Sequence, residues 1–313
     1  MTRIIYGIDI GGTKIELVSY DETLQALHRQ RIDTPTHDID AFIEAVAGLT
    51  EAADALMGTR GEVGVGMPGF VDPRTGCNVS VNVPAARGQR VRPLLEARLG
   101  RPVQVGNDCH CFALSEAHGG AAAVFPTMFG LVIGTGAAGG YCVNGQLLRG
   151  SNGALGETGH TPVSAVVLKE HRLPIFDCPC GRRGCLERYV SGSGLQAIHK
   201  HLSGADRSGE GIMDRAREGD PAACNALEVH LDILASSLGS LVLHLDPHAI
   251  VLGGGLSKLA HLYSELPSWL ARHLVPGMVA PPILRPAFGD AGGTRGAAVL
   301  VLSQFATEDV AAC

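Results

Sequence analysis

The chain has 313 residues, long enough to bury a large core and to form either two domains or one large α/β unit. Its net charge of -6, with no basic run, argues against nucleic acid or an anionic membrane as the main partner, and no apolar run reads as a membrane span. Aromatics are scarce at 4% and glycine abundant at 42 residues, which points to many tight turns and close backbone approaches.

The start, MTRIIYGIDIGG, enters a strand-like pattern without the charged leader, apolar stretch and cleavage site of a signal peptide. A cytoplasmic location is expected, with the nine cysteines reduced. Residues 3–9 and 15–20 read as β-branched, apolar strands joined by a hairpin turn at Gly11-Gly12-Thr13-Lys14. This is not a Walker P-loop, because Thr13 precedes Lys14 and a strand follows where that motif needs a helix. From Asp38 to Met57 the apolar residues Ile39, Phe42, Ile43, Val46, Leu49 and Leu56 recur at helical spacing. A strand over 62–67 then ends at Pro68-Gly69.

After an irregular stretch with Asn82-Val83-Pro84, a helix over 91–99 and a strand over 102–105 lead to Gly106-Asn107-Asp108, and a helix follows from Cys109 to about residue 118. Polar residues where a strand ends and a helix opens sit where α/β proteins usually place ligands. The same pair would also serve as a helix cap. A second cycle begins at 128–134, with the turn Gly134-Thr135-Gly136, a strand from Gly139 to Val143 and a hairpin signal at Asn144-Gly145. Gly134, Gly136 and Gly139 match the dinucleotide fingerprint by letter, but that fingerprint must open a helix and residues 141–148 read as a hairpin. The cut between domains is best placed near Gly119-Gly120. It gives a small N-terminal domain over 1–119 and a larger one over 120–293, with a C-terminal helical stretch over 294–313 packing on the first.

Between Gly156 and Tyr189 the sequence concentrates His160, Cys178, Cys180 and Cys185. One imidazole and three thiolates suit tetrahedral zinc, and a closed Cys3His shell reads as structural rather than catalytic. Gly181 and Gly184 allow the backbone to turn and aim three sulfurs at one point. Any one of these residues alone would pass for a buried thiol or a core histidine; the spacing makes the set a metal site. Glu157 and Glu187 flank the donors, so closing the site would bring two carboxylates together, an arrangement suited to a polyol. The other six cysteines have no evident pairing. Pro221–Leu245 reads as one long apolar helix. Residues 248–252 read as a buried strand entering Gly253-Gly254-Gly255 and a helix from Leu256. That glycine turn either admits a nucleotide or is only a tight connection. The apolar stretch Thr294 to Phe305 reads as the last helix.

Two hairpin glycine turns in tandem halves and a third late in the chain are the layout of the two-domain α/β actin/hexokinase/Hsp70 ATPase fold, which is ribonuclease H-like, here with a zinc knuckle in the second domain. Within it the chain resembles the ROK family of sugar kinases. The resemblance rests on Asp9-Ile-Gly-Gly-Thr-Lys14, Gly106-Asn-Asp108, Gly134-Thr-Gly136, Gly156-Glu-Thr-Gly-His160, Cys178-Pro-Cys-Gly-Arg-Arg-Gly-Cys-Leu-Glu187 and Leu252-Gly-Gly-Gly255. The knuckle is the most specific of these. Asn82–Gly88, Asn107–Glu116 and Gly289–Gly296 narrow it to members acting on N-acetyl-D-glucosamine, which implies ATP-dependent phosphorylation of the sugar 6-hydroxyl. Glucokinase, fructokinase and N-acetylmannosamine kinase activities are the near alternatives. A sugar-sensing regulator of the same fold would need a DNA-binding segment, and the first strand begins at residue 3.

The resemblance implies a role for each matching residue. Asp108 is the expected general base. Gly69, Asn82, Asn107, Asp108, Glu157, His160 and Glu187 are the expected sugar contacts, with His160 serving zinc through its other ring nitrogen. Asp9, Gly11, Gly12, Thr13, Lys14, Gly134, Thr135, Gly136, Gly139, Gly140, Gly254 and Gly255 are expected at ATP and Mg²⁺. Ala137-Ala138 stand where the family more often has glycine, and Thr158 where it more often has an apolar residue. The expected partners are a sugar and a nucleotide, with a homodimer left open.

Overall fold

The structure is a computed structural model that describes residues 3–79, 82–289 and 292–308. Asp290 of the glycine-rich C-terminal motif and residues 309–313 of the expected helical stretch, Cys313 among them, lie outside the described residues.

In chain order the first elements are β1 (Ile5–Ile10), β2 (Lys14–Tyr20), β3 (Ala26–Asp33), α1 (Ile39–Met57), β4 (Glu62–Met67), β5 (Phe70–Val71) and β6 (Asn78–Val79). Next come α2 (Val91–Leu99), β7 (Val103–Asn107), α3 (Asp108–Ala117), β8 (Thr127–Ile133), β9 (Ala137–Val143) and β10 (Gln146–Leu147). The remainder is largely helical: α4 (Ala165–Glu170), α5 (Glu187–Val190), α6 (Gly192–Ser203), α7 (Gly209–Arg217) and α8 (Pro221–Leu245). The chain ends with β11 (Ala249–Gly253), α9 (His261–Ser264), α10 (Leu266–Arg272), β12 (Ile283–Leu284) and α11 (Gly292–Glu308). Contacts divide it into two compact units, one of Met1–Val124, Gly140–Leu155 and Ala287–Cys313, the other of Phe125–Gly139 and Gly156–Pro286. The division expected after residue 119 is corrected by an interleaved one, in which the β10 hairpin also returns to the first unit.

In the first unit the sheet runs β3-β2-β1-β4-β7, with β1 antiparallel to β2 and parallel to β4, and β4 parallel to β7. Alternation sorts β1 by face: Tyr6, Ile8 and Ile10 enter the core formed with α1 and α2, whereas Ile5 joins Ala298 and Val301 of α11 on the other face. Gly7 and Gly64 are register partners on β1 and β4, and a methyl on either would run into the backbone carbonyls of Thr294 and Ala297. Their bare backbones therefore let α11 lie directly on the sheet. Helix α1 is capped by Asp38, whose carboxylate accepts from Asp40 N at 2.8 Å, and it stops at Gly58 in the left-handed region at φ 67°. Strand β3 has no counterpart in the sequence reading. It is a polar edge strand whose Arg31 reaches back to Glu16 at 2.6 Å, so it lacks the apolar alternation that announces a strand.

The second unit is built on parallel β8, β11 and β12. Helix α8 is apolar and long enough to cross a membrane by composition, but 67% of that window is buried, as suits a core helix. Asp220 caps it through Ala222 N and Ala223 N, both at 3.0 Å. The α-helix expected from Leu256 is instead a 3-10 turn, Gly255–Lys258, and is corrected here. Gly254 enters it at φ 79° and Leu259 N closes a three-residue turn on Leu256 O at 3.0 Å, which stops an α-helix from propagating.

Candidate active site

In the first unit the parallel register aligns the C-terminal ends of three strands. Asp9 pairs with Gly66, and Met67 pairs with Asn107, so Asp9 at the end of β1 and Asp108 just past β7 flank the end of β4. Ligands of open α/β sheets bind at such ends. Both carboxyls are partly accessible yet densely surrounded. Burial, then the nearby Asp108 and Glu16 carboxylates, push Asp9 up to about 7, with Arg31 opposing. Burial also raises Asp108, against the opposing bond from Cys109 N at 2.8 Å. Neighbouring carboxyls whose proton affinity is raised take or release protons, and they also attract a divalent cation. The first turn of α11 closes over Asp9: a Cβ on Gly293 would stand 2.5 Å from its Oδ2.

Asn107 is the cap of α3, as the plain reading of its position allowed. Its Oδ1 accepts from His110 N at 3.0 Å and its Nδ2 donates to Gly69 O at 2.8 Å. One of its two amide protons is thereby spent on the Pro68-Gly69 bend, where Gly69 sits at φ 88°. Gly11 to Lys14 form the expected tight turn, closed by Gly11 N to Lys14 O at 2.8 Å. Thr34 fastens it through its hydroxyl to Gly11 O at 2.8 Å. The backbone of Asn82 lies close by, 3.1 Å from where a Cβ on Gly12 would be. Sequence reasoning missed Thr34 and the buried His110, whose Nε2 meets Leu155 O at 2.6 Å; no local motif announces either contact.

In the second unit the knuckle is assembled by two short antiparallel bridges, Asp177↔Arg183 and Pro162↔Cys185. Gly181 and Gly184 turn the chain at φ 86° and 71°. Leu186 N bonds Thr161 O at 2.9 Å, which carries Cys185 to the His160 side. One donor atom from each of His160, Cys178, Cys180 and Cys185 lies within 4.8 Å of the others. Cys180 Sγ and Cys185 Sγ are 3.7 Å apart, and Cys178 Sγ is 3.9 Å from His160 Nδ1. Ligand atoms around a tetrahedral ion with bonds of about 2.3 Å are separated by about 3.8 Å, so the residues fit zinc. Glu187 Oε1 lies 3.8 Å from Nδ1 of His160, and Glu157 Oε2 lies 4.0 Å from Nε2. The structure thus brings together the three side chains expected at a sugar. Burial, then the bond it donates to Glu187 at 3.0 Å, pushes the Cys178 thiol well up. Thr158 buries its hydroxyl with no partner among the described residues.

The turn at Gly134-Thr135-Gly136 closes through Gly134 N to Gly136 O at 2.9 Å and lies against Glu187, whose Oε2 would be 2.9 Å from a Cβ on Gly136. Gly254 presses on the end of β8, where a Cβ would meet Ile133 O at 2.5 Å, so Gly254 and Gly255 adjoin the same turn. Gly139 and Gly140 are different. They lie inside β9, where Gly139 packs on Phe129 and Gly130 and Gly140 on His110 and Ala113 of α3. Close packing gives a reason for glycine at both positions, beside the expected one of approach to the nucleotide.

Residues 5–304 match the sequence profile of the ROK family. The chain belongs to the ROK family. Among its relatives, the N-acetyl-D-glucosamine kinase of Pasteurella multocida is 41% identical over 302 residues, 96% of this chain and 99% of that one. The crystal structure of a ROK hexokinase from Thermus thermophilus is similar at a TM-score of 0.84, with 32% identity over 96% of this chain and 97% of that one. That of a ROK family glucokinase from Streptomyces griseus, in complex with glucose and AMPPNP, matches at 0.78, with 28% identity over 96% and 99%. The ROK chain accordingly has the α/β sugar-kinase fold of the actin and hexokinase type.

Proposed function

We propose that this ROK protein is an ATP-dependent kinase that phosphorylates the 6-hydroxyl of N-acetyl-D-glucosamine. The observation that carries the reading is the match, over nearly the whole chain, to N-acetyl-D-glucosamine kinase. The placement of Asp9 and Asp108 at the ends of the two strands that flank β4 supports it.

Phosphoryl transfer is catalysed mainly by positioning and charge neutralisation, together with activation of the acceptor. Asp108 accepts the proton of the 6-hydroxyl as its oxygen attacks the γ-phosphate in line. Its raised proton affinity makes it a stronger base than an exposed carboxylate. Asn107 holds a neighbouring hydroxyl with its remaining amide proton, and Gly69 and Asn82 line the same side. Glu157, His160 and Glu187 bind further hydroxyls. The exposed turn at Gly11, Gly12, Thr13 and Lys14 meets the phosphates, and so do Gly134, Thr135 and Gly136. Gly254 and Gly255 offer backbone to the rest of the nucleotide. Asp9 would hold Mg²⁺ through water, and that ion supplies neutralisation of the phosphate charge. His160, Cys178, Cys180 and Cys185 would hold zinc, whose part is to fix His160 and the flanking carboxylates.

Product analysis tests the reaction. Incubation with ATP and N-acetyl-D-glucosamine should yield a monoester whose phosphorus couples to the two protons on C6. Coupling to the anomeric proton instead would assign a different transfer.

A further inference from the structure

Four passages of chain join the two units, at 124/125, 139/140, 155/156 and 286/287. On the side of the first unit, each of them is fastened to the same ten residues of α3. Near the first passage, Ala121 N donates to Glu116 Oε2 at 2.9 Å and Ala122 N to Glu116 O at 3.1 Å. At the second, Gly140 lies so close to the helix that a Cβ would be 2.8 Å from Ala113 Cβ and 3.2 Å from His110 Cα. At the third, Leu155 O meets His110 Nε2 at 2.6 Å. At the fourth, Ala287 N donates to Glu116 Oε2 at 3.0 Å and Phe288 N to Oε1 at 3.4 Å.

Glu116 is fully buried at 0% exposure. Its two carboxylate oxygens accept from backbone N–H groups drawn from two passages that are far apart in sequence, and an amide in its place would offer them one acceptor oxygen instead of two. Gly120 leaves it room, since a Cβ there would stand 2.7 Å from Oε2. His110 works at the other end of the helix. Its N–H is held by Asn107 Oδ1 at 3.0 Å, and it stands two residues from Asp108. The helix is a rod of about 15 Å, too short to absorb a displacement at one end without moving the other.

We infer that Glu116 and His110 are positioning residues for the transfer reaction, binding every connection out of the first unit to the helix that carries Asp108. The placement of the base is then set by these fastenings as much as by β7. The inference rests on the reading of Asp108 as general base and deepens it.

The test compares Glu116→Gln, His110→Leu, His110→Gln and Asp108→Asn in one kinetic and binding series on the full chain. Glu116→Gln turns an acceptor into an N–H facing other N–H groups. It should lower kcat at least tenfold while the Kd for ATP stays within threefold in protein that is folded by circular dichroism. His110→Leu should do the same, and His110→Gln, whose amide reaches toward the same carbonyl, should recover most of the loss. A purely structural role would lower Tm and leave kcat within threefold; that result for both Glu116→Gln and His110→Leu overturns the inference. Asp108→Asn reports on the base itself. Loss there with retention in the other two rejects the anchoring alone, whereas full turnover by Asp108→Asn rejects the base. If Glu116→Gln fails to fold, His110→Leu against His110→Gln decides.

Discussion

Glu187 Oε1 stands 3.8 Å from Nδ1 of His160, the ring nitrogen that also faces Cys178 Sγ. Glu157 Oε2 stands 4.0 Å from the opposite nitrogen. The imidazole therefore lies between two carboxylates, and whatever fixes the ring fixes the pair.

On the proposed reading, that relationship gives the knuckle the task of organising the sugar contacts. Cys180→Ser should weaken zinc binding, and since the metal is not assigned to phosphate, the damage should fall on the sugar. The sugar KM should rise steeply while the ATP affinity of folded protein changes little. Thermal stability should fall as well, because metal binding and folding are coupled. Metal analysis, circular dichroism and separate titrations with sugar and nucleotide distinguish these effects. A folded, zinc-free variant that binds sugar normally would show that the knuckle does not organise the site.

Asp108→Asn keeps the shape of the side chain and removes its basicity. It should bind both substrates and lose about 10²- to 10⁴-fold in kcat, the usual contribution of general-base catalysis. Steady-state kinetics with N-acetyl-D-glucosamine checks this, and retention of most of kcat would leave Asp108 as part of a helix start and nothing more.

With Asp9 at Mg²⁺, as proposed, nucleotide binding should depend on protons. Its folded-state pKa of about 7 lies above the ordinary 3.8, so the folded protein holds this proton more tightly than the unfolded chain. The associated stability is complete below about pH 4 and is lost as pH rises through about 7. A cation needs the ionised carboxylate. Mg²⁺-dependent affinity for ATP should therefore tighten as pH rises toward 7 and level off above it. Asp9→Asn should abolish that dependence while raising Tm relative to the parent at pH 8, since no charge is then buried. Parallel Tm and affinity profiles in the two proteins would contradict this.

Much of this was legible because local signals agreed with the fold. The Gly11–Lys14 turn, the helical pattern from Asp38 to Met57, the span Pro221–Leu245 and the turn at Asn144 and Gly145, with φ of 48° and 75°, each carry their own geometry. Strand β3 was hidden because its exposed edge needs no apolar face. At Gly139 and Gly140 the letter alone does not separate a glycine required by packing from one required by phosphate. His110, Thr34 and Glu116 went unseen because their partners are 45, 23 and up to 172 residues away, and no spacing rule reaches that far.

The central claim is the acceptor sugar, and a coupled ATP assay over N-acetyl-D-glucosamine, glucose, fructose and N-acetylmannosamine tests it most directly. A pocket formed around the acetamido group leaves polar groups unpaired when a hydroxyl replaces it. Each such group costs about 1 to 3 kcal/mol, or roughly 5- to 150-fold in kcat/KM. The account predicts the highest kcat/KM for N-acetyl-D-glucosamine by at least that margin over glucose. Equal or better use of glucose would contradict it and place the protein among the glucokinases.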